Sequence, residues 1–543
     1  MHFTLLNKIA NLRIDLKNRY SVFLTILLLF IFHAINNHFV LVSSYFPPYP
    51  DAVTYFKCAC KFLCDIKVLA NNIWELPLVV WKVFFSNVHG VVRSPLFYLI
   101  TLPVININMS MNWAIMSNMI YFGILLFSVY GLGKELYDSC EVGILAAFLI
   151  SIFPGIFAIS RWYTRDFALV ACLALNCYLF IKLIQSKGKN IFVMLFLTAF
   201  SILAGLLIKE SYIYFLLLFP LFLFTKKEYN CKSNIAKIIL AIALGLALSL
   251  IWFLQVGVEY IFAGWNMTVM GLETNKDILF YVKRLYAIQL MPLFFSLFVL
   301  SIIYYFRKRN AFLVITVILP LIFFSFCSSN KSGRFILPLF IFIALAIART
   351  IWVLFTKGKK IIIVIILILS FLQYFLVTYS NNRYFNYIKL PHFPDASLLQ
   401  DDGLYGITKV DNYKKTAFCI LNLIEASCKS QADIKNVNII VLDNYNELYW
   451  AMEEVLPGSR ANMFHLERHY PDFNCDDMSL TGQKCKEDVL EYDYVVCIRP
   501  ADFTWKNAIS CYSSFIRNRK RFILVDTVTH SSEVKFDIYW RKE

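Results

Sequence analysis

Asp51 follows a proline-rich turn made by Pro47, Pro48 and Pro50, and Asp166 lies just beyond Arg161 and Arg165. A carboxylate near a membrane surface can accept the proton of an attacking hydroxyl or amine, which is general-base chemistry. Cations at Arg93, Arg161, Arg165, Lys209, Lys331 and Arg334 supply the complementary part. A phosphate leaving group gains charge as it departs and needs cationic donors in a site that partly excludes water. The combination suits attack on a sugar carbon with phosphate as the leaving group.

Each residue also has a plain structural reading. Asp51 suits a turn after prolines, and Asp166 suits a helix N-terminus, where the dipole favours negative charge. Arg and Lys snorkel at interfaces, and Lys209 has Glu210 beside it as a partner. Arg93-Ser94-Pro95 opens an apolar run, with Ser94 suited to the N-cap and Pro95 to the first helical position. That accounts for the serine and the proline and leaves Arg93 for a lipid phosphate or a carboxylate.

The elements that must position these residues are membrane spans. The chain of 543 residues is 59% hydrophobic, 17% aromatic and only 16% charged, too apolar for its side chains to be buried in soluble domains. A spanning helix needs roughly 20 apolar residues, and about eleven runs meet that criterion. They lie near 21–41, 113–133, 141–159, 166–185, 190–208, 211–225, 236–254, 285–306, 311–327, 334–356 and 361–379. The net charge of +16 falls largely in short clusters between the runs. Lys8, Arg13, Lys17 and Arg19 precede the first, and Lys182, Lys187 and Lys189, then Lys226 to Lys237, Arg307 to Arg309 and Lys357 to Lys360 occupy alternate loops. This is the positive-inside pattern with the N-terminus in the cytoplasm, and it argues against nucleic acid as a partner. Arg93, Arg161, Arg165, Lys209, Lys331 and Arg334 run against it, because they fall at outer ends. The first run carries His33, Asn36, Asn37 and His38 and lacks an A-x-A cleavage site, so it reads as a retained anchor.

Two domains follow. Residues 1–390 form the polytopic α-helical domain, including a first external loop over 42–112 with interfacial helices anchored by Trp74 and Trp81. Residues 391–543 form an extracytoplasmic α/β domain, with strands at 437–442, 493–498 and 521–526 and helices at 412–428, 445–455 and 502–516. It has no GxGxxG or Walker A sequence. The 14 cysteines show no zinc spacing. Cys58, Cys60 and Cys64 alone are close together, and helix packing, a disulfide or metal ligation are all open to them.

In order along the chain, PYPDAVTYF (48–56), RSPLFYLITLP (93–103), the block from Gly131 to Val170, GLLIKESYIYFLLLFPLFLF (205–224) and GRFILPLFIFIALA (333–346) resemble the GT-C glycosyltransferases. The nearest pattern is that of the protein O-mannosyltransferase and aminoarabinose-transferase branch. The resemblance implies an inverting enzyme of a bacterial plasma membrane, moving a hexose or pentose from a polyprenyl-phosphate carrier to a protein, lipid or glycan acceptor. It places the catalytic carboxylate at Asp51, a second external acid at Asp166, the arginine before the proline at Arg93, and basic positions facing donor phosphate at Lys209 and Arg334. Many members carry Asp-Glu where this chain has Asp51-Ala52, so a divalent metal ion stays open as a cofactor.

A transporter or lipid flippase would also have many spans, but it should carry midplane charges or paired repeats. The runs are mostly free of charge at their centres and show no clear repeat. A binding scaffold leaves the outer cations unexplained. The charge alternation places the C-terminus outside the cytoplasm, and a reporter active only in the cytoplasm, fused after Glu543, is expected to be silent.

Overall fold

A computed structural model describes residues 19–43, parts of 52–66, the pairs 87–88 and 91–92, and most of 95–256, 277–356 and 358–379. In the C-terminal part it describes 413–429, 437–442, 464–468, 493–499, 519–529 and 535–541. The chain divides into two compact units, Met1–Leu41 with Pro50–Thr408, and Val42–Tyr49 with Lys409–Glu543.

The first unit is helical, and among the described residues 6 of its helices are long and apolar enough to cross a membrane. Shorter apolar helices lie between them. The Arg165–Gln185 and Gly333–Leu354 spans have 78% and 83% of their apolar windows buried, against 33% for Tyr20–Leu41 and 29% for Lys232–Leu254. The first two therefore form the centre of the bundle and the others its wall. On the Asn190–Ile208 helix, Phe192, Phe196 and Phe200 recur at helical spacing and are exposed, as a lipid-facing stripe requires.

Several apolar runs that read as single spans are broken. The 141–159 run is Cys140–Ile152 and Pro154–Ile159, split at Phe153, whose extended backbone precedes the proline that restricts it. The 285–306 run opens with a π-helical turn over Leu285–Gln289, and the Met291–Arg307 helix starts at a left-handed Met291 (φ 61°). The 334–356 run opens as a 3-10 helix, Gly333–Leu339, containing Pro338. A proline supplies no N–H and crowds the preceding turn, which limits regular helix at such points.

Between Asn118–Tyr137 and Cys140–Ile152 the chain reverses in two residues. Asp138 adopts the left-handed conformation (φ 51°), and Ser139 caps the second helix by accepting from the Val142 N–H at 3.2 Å. The two helices meet at glycine. A Cβ on Gly143 would stand 2.5 Å from the Tyr130 carbonyl oxygen, and one on Gly133 would stand 2.7 Å from the Gly143 Cα.

In the second unit, five strands form a mixed sheet in the order β4-β3-β5-β7-β6, where β1 (Asn87–Val88) and β2 (Val91–Val92) are a small hairpin of the first unit. β3 (Val437–Leu442) runs parallel to both β4 (Phe464–Arg468) and β5 (Tyr494–Arg499). β7 (Lys535–Arg541) is antiparallel to β5 and to β6 (Phe522–Thr529), with a bulge between Leu524 and Asp526. The amphipathic Tyr413–Lys429 helix buries Ala417, Ile420, Leu421 and Ile424 on one face and packs against β6. The expected helices at 445–455 and 502–516 lie outside the described residues.

Because the atom nearest a Gly143 Cβ belongs to backbone, the helices must separate to admit it. Gly143→Ala is expected to cost about 1–3 kcal/mol, read as a lowered midpoint of thermal unfolding of the detergent-solubilised protein.

Candidate functional site

The Arg165–Gln185 helix begins where the Asn190–Ile208 helix ends, and charges meet at that junction. Asp166 lies in the first turn of one helix, and Lys209 is the C-cap of the other. Both positions suit the helix dipoles, which favour an anion at the N-terminus and a cation at the C-terminus. Lys209 Nζ donates to Asp166 Oδ1 at 2.5 Å. Arg334, at the start of the central 3-10 helix, brings Nη1 to 3.9 Å from Asp166 Oδ2. The cations of Lys209 and Arg334 also stand 5.7 and 5.9 Å from the Phe335 ring centroid.

Their chain neighbours pair in the opposite sense. Arg165 Nη1 donates to Glu210 Oε2 at 3.1 Å, and Arg165 Nη2 donates to the Tyr55 hydroxyl at 3.4 Å. The alternative of a Lys209–Glu210 pair is therefore not what forms, since each residue reaches across to the other helix. Among the described residues, three cations and two carboxylates are gathered here.

Arg161 is turned elsewhere. Its Nε donates to Asn37 Oδ1 at 3.0 Å, and Nη2 reaches the Thr378 hydroxyl at 3.4 Å and the Tyr374 hydroxyl at 3.5 Å. Asn37 in turn donates to Ser160 Oγ at 3.1 Å, and Asn36 to the Tyr374 hydroxyl. This buried cluster ties the Arg19–Ser43 and Lys360–Tyr379 helices to the turn that carries Arg161. It also gives three of the four polar residues in the first span a purpose: His33, Asn36 and Asn37 are buried. Beside it, Tyr163 shares a 2.7 Å hydrogen bond with Thr101, and burial pushes its phenol well above the ordinary value, so it keeps its proton.

Asp166, Lys209, Arg334 and Arg165 are thus brought together, while Arg161 joins the neighbouring cluster. Asp51, Arg93, Lys331 and Cys64 lie outside the described residues. Cys58 is buried. Among the described residues no group of three or more His, Cys, Asp and Glu side chains could hold a metal ion. Tyr55 and Arg284 were passed over in the sequence. Arg284 is 2% exposed and opens the π-helical turn. Its signal was a basic residue at a helix end, the same signal that marked Arg334.

Residues 92–252 match the family model described as dolichyl-phosphate-mannose-protein mannosyltransferase. No curated protein matches the sequence. Among solved structures, ArnT from Cupriavidus metallidurans bound to undecaprenyl phosphate is similar, with a TM-score of 0.59 at 10% identity over 94% of this chain and 97% of that one. The chain has the GT-C glycosyltransferase fold. Apo ArnT from the same organism gives 0.53 at 11% identity over the same 94% and 97%. The Archaeoglobus fulgidus oligosaccharyltransferase tethered to an acceptor peptide gives 0.50 at 12% identity, over 95% of this chain and 74% of that one. The GT-C resemblance read from the sequence therefore extends from motifs to architecture, in an integral membrane protein.

The Arg161 cluster generates a stability prediction. Arg161→Met strips a charged donor from three buried oxygens, and leaving buried acceptors unpaired costs about 1–3 kcal/mol. The variant is expected to unfold several degrees lower in detergent, and Asn37→Leu should lower the midpoint comparably.

Proposed function

We propose that this protein is an inverting membrane glycosyltransferase that moves a sugar from a polyprenyl-phosphate donor to an acceptor hydroxyl or amine on the extracytoplasmic side. The observation that carries the reading is the convergence of Lys209 and Arg334 on Asp166 at abutting helix ends. A sugar phosphodiester carries one negative charge, and cationic donors of this kind are what hold such a group. The binding of undecaprenyl phosphate by the similar ArnT, and the dolichyl-phosphate-mannose description of the matching family, support a polyprenyl-phosphate donor.

In this reading Lys209 and Arg334, with Arg93, hold the donor phosphate. Asp166 keeps its two partners in place, and with both carboxylate oxygens facing cations it is poorly suited to take a proton. Asp51 is the general base. The acceptor oxygen or nitrogen attacks the anomeric carbon from the face opposite the phosphate and passes its proton to the Asp51 carboxylate. The bond from the anomeric carbon to the phosphate oxygen breaks, and its electron pair leaves with the polyprenyl phosphate. The cations stabilise the charge growing there. The positive-inside pattern supports the extracytoplasmic placement.

The test supplies membranes carrying the protein with radiolabelled undecaprenyl-phosphate hexoses and pentoses. Label should move from the donor lipid to an acceptor fraction, with inhibition by undecaprenyl phosphate. Label that crosses the bilayer while still on its carrier would instead indicate a flippase. Asp51→Asn should lower turnover by at least about 10²-fold, within the range for a positioned base. Lys209→Met and Arg334→Met should each raise the apparent donor KM about tenfold, as the loss of a charge-assisted hydrogen bond implies. If Asp166→Asn is the crippling change and Asp51→Asn is near normal, the base is Asp166.

A further inference from the structure

The Arg165–Glu210 pair is placed where neither residue is favoured locally. Arg165 lies in the first turn of a helix, where the dipole disfavours a cation, and Glu210 follows the end of a helix, where it disfavours an anion. The adjacent Asp166–Lys209 pair has the favourable arrangement. A charged residue held against its local preference, and only 2% exposed, has a task that helix stability does not explain.

The other end of its guanidinium indicates the task. Arg165 Cζ lies 5.1 Å from the Tyr55 ring centroid, while Nη2 reaches the hydroxyl of the same residue. A planar fork can stack, hydrogen-bond and ion-pair at once, which an ammonium cannot do. Tyr55 is itself buried, with its ring 6.2 Å from those of Phe97 and Tyr98. It belongs to a helical face of the first long loop formed by Ala52, Tyr55, Ala59 and Phe62, all buried. Phe62 adds an edge contact to Tyr98 at 5.5 Å. The other members of this face are apolar and give no direction, so among these four residues the Tyr55 hydroxyl is the one that gives the loop a directional fastening. Along the chain, Tyr55 is four residues beyond Asp51.

We propose that Arg165 and Tyr55 form a pin that fixes the first long loop against the helix junction, making Arg165 a positioning residue for transfer and not a contact to donor phosphate. The catalytic meaning of the pin rests on the glycosyltransferase reading above, whereas the fastening itself can be measured without it.

The experiment uses the full chain in lipid nanodiscs, with Arg165→Lys, which keeps the charge and loses the fork, and Tyr55→Phe, which keeps the ring and loses the hydroxyl. Backbone hydrogen exchange over residues 55–63 is expected to speed up about tenfold or more in Arg165→Lys, and less in Tyr55→Phe, as local opening becomes easier. The double variant should add little to Arg165→Lys, because both changes remove one interaction. The Kd for undecaprenyl phosphate should stay within about twofold, while kcat with the active labelled donor falls about tenfold or more, the scale expected when a reacting group is misplaced.

Unchanged exchange in both variants overturns the pin. A Kd for undecaprenyl phosphate raised about tenfold with kcat unchanged overturns it too, and makes Arg165 a donor contact of the kind expected for Lys209. Faster exchange with unaltered kcat per folded molecule reduces Arg165 to a structural role and overturns the positioning claim. Asp51→Asn is measured in parallel and separates the two readings. If it is neutral while Arg165→Lys lowers kcat, the base assignment fails and the pin stands. If it cripples transfer while both pin variants turn over normally, the pin fails and the base stands.

Discussion

Two adjacent residues on one helix pair with two adjacent residues on the next, and the arrangement of the bundle around them follows from that. A charge withdrawn from water costs several kcal/mol unless a partner of opposite sign lies at hydrogen-bonding distance. Asp166 and Arg165 are both nearly inaccessible, so Lys209 and Glu210 have to be where they are. This fixes the rotation and height of the Asn190–Ile208 helix against Arg165–Gln185. The second carboxylate oxygen of Asp166 then draws in Arg334 and with it the start of the most buried span.

The broken helices at this end of the bundle raise the question of what becomes of freed backbone groups. Lipid offers them no partner. Side-chain amides take over. Asn118 Nδ2 donates to the carbonyls of Ser160 and Trp162 in the turn before Arg165–Gln185. Gln289 Nε2 donates to the Gly333 carbonyl at 2.7 Å, linking the π-helical turn to the 3-10 helix, and Gln373 Nε2 donates to the Leu290 carbonyl at 3.1 Å. The turn before Arg165–Gln185, the end of the π-helical turn and the start of the 3-10 helix thus each have a side-chain amide from another element anchoring them, and the irregular backbone there becomes a set of specific cross-links.

The spans were legible because length and hydropathy alone decide whether a segment can cross a bilayer. Arg165–Gln185 and Asn190–Ile208 fall almost where the apolar runs placed them. The breaks were less so. Phe153-Pro154 is visible as a dipeptide, but nothing local marks the π-helical turn over Leu285–Gln289, which is held from outside by Gly333. In the second unit β3, β5 and β6 were found as apolar runs. β4 and β7 escaped because FHLER and KFDIYWR mix charged residues into short strands. At the junction, charges at helix ends stood out as residue types, yet their pairing did not. Lys209 with Glu210 and Arg165 with Asp166 are the neighbours that sequence offers, whereas the observed partners come from chain reversal, and Tyr55 carried no distinguishing mark.

The order in which these charges leave the ribosome has a consequence for biogenesis. Asp166 and Lys209 belong to consecutive helices joined by a short connection, as do the tightly turned Asn118–Tyr137 and Cys140–Ile152 helices before them. Such hairpins close early and at small entropic cost. The nascent chain can therefore neutralise Asp166 with Lys209 and Arg165 with Glu210 as soon as the two helices have inserted. Arg334 is translated much later. The Arg334 charge is then the last of these five to arrive, and until it does the half-built protein carries the Asp166–Lys209 and Arg165–Glu210 pairs there.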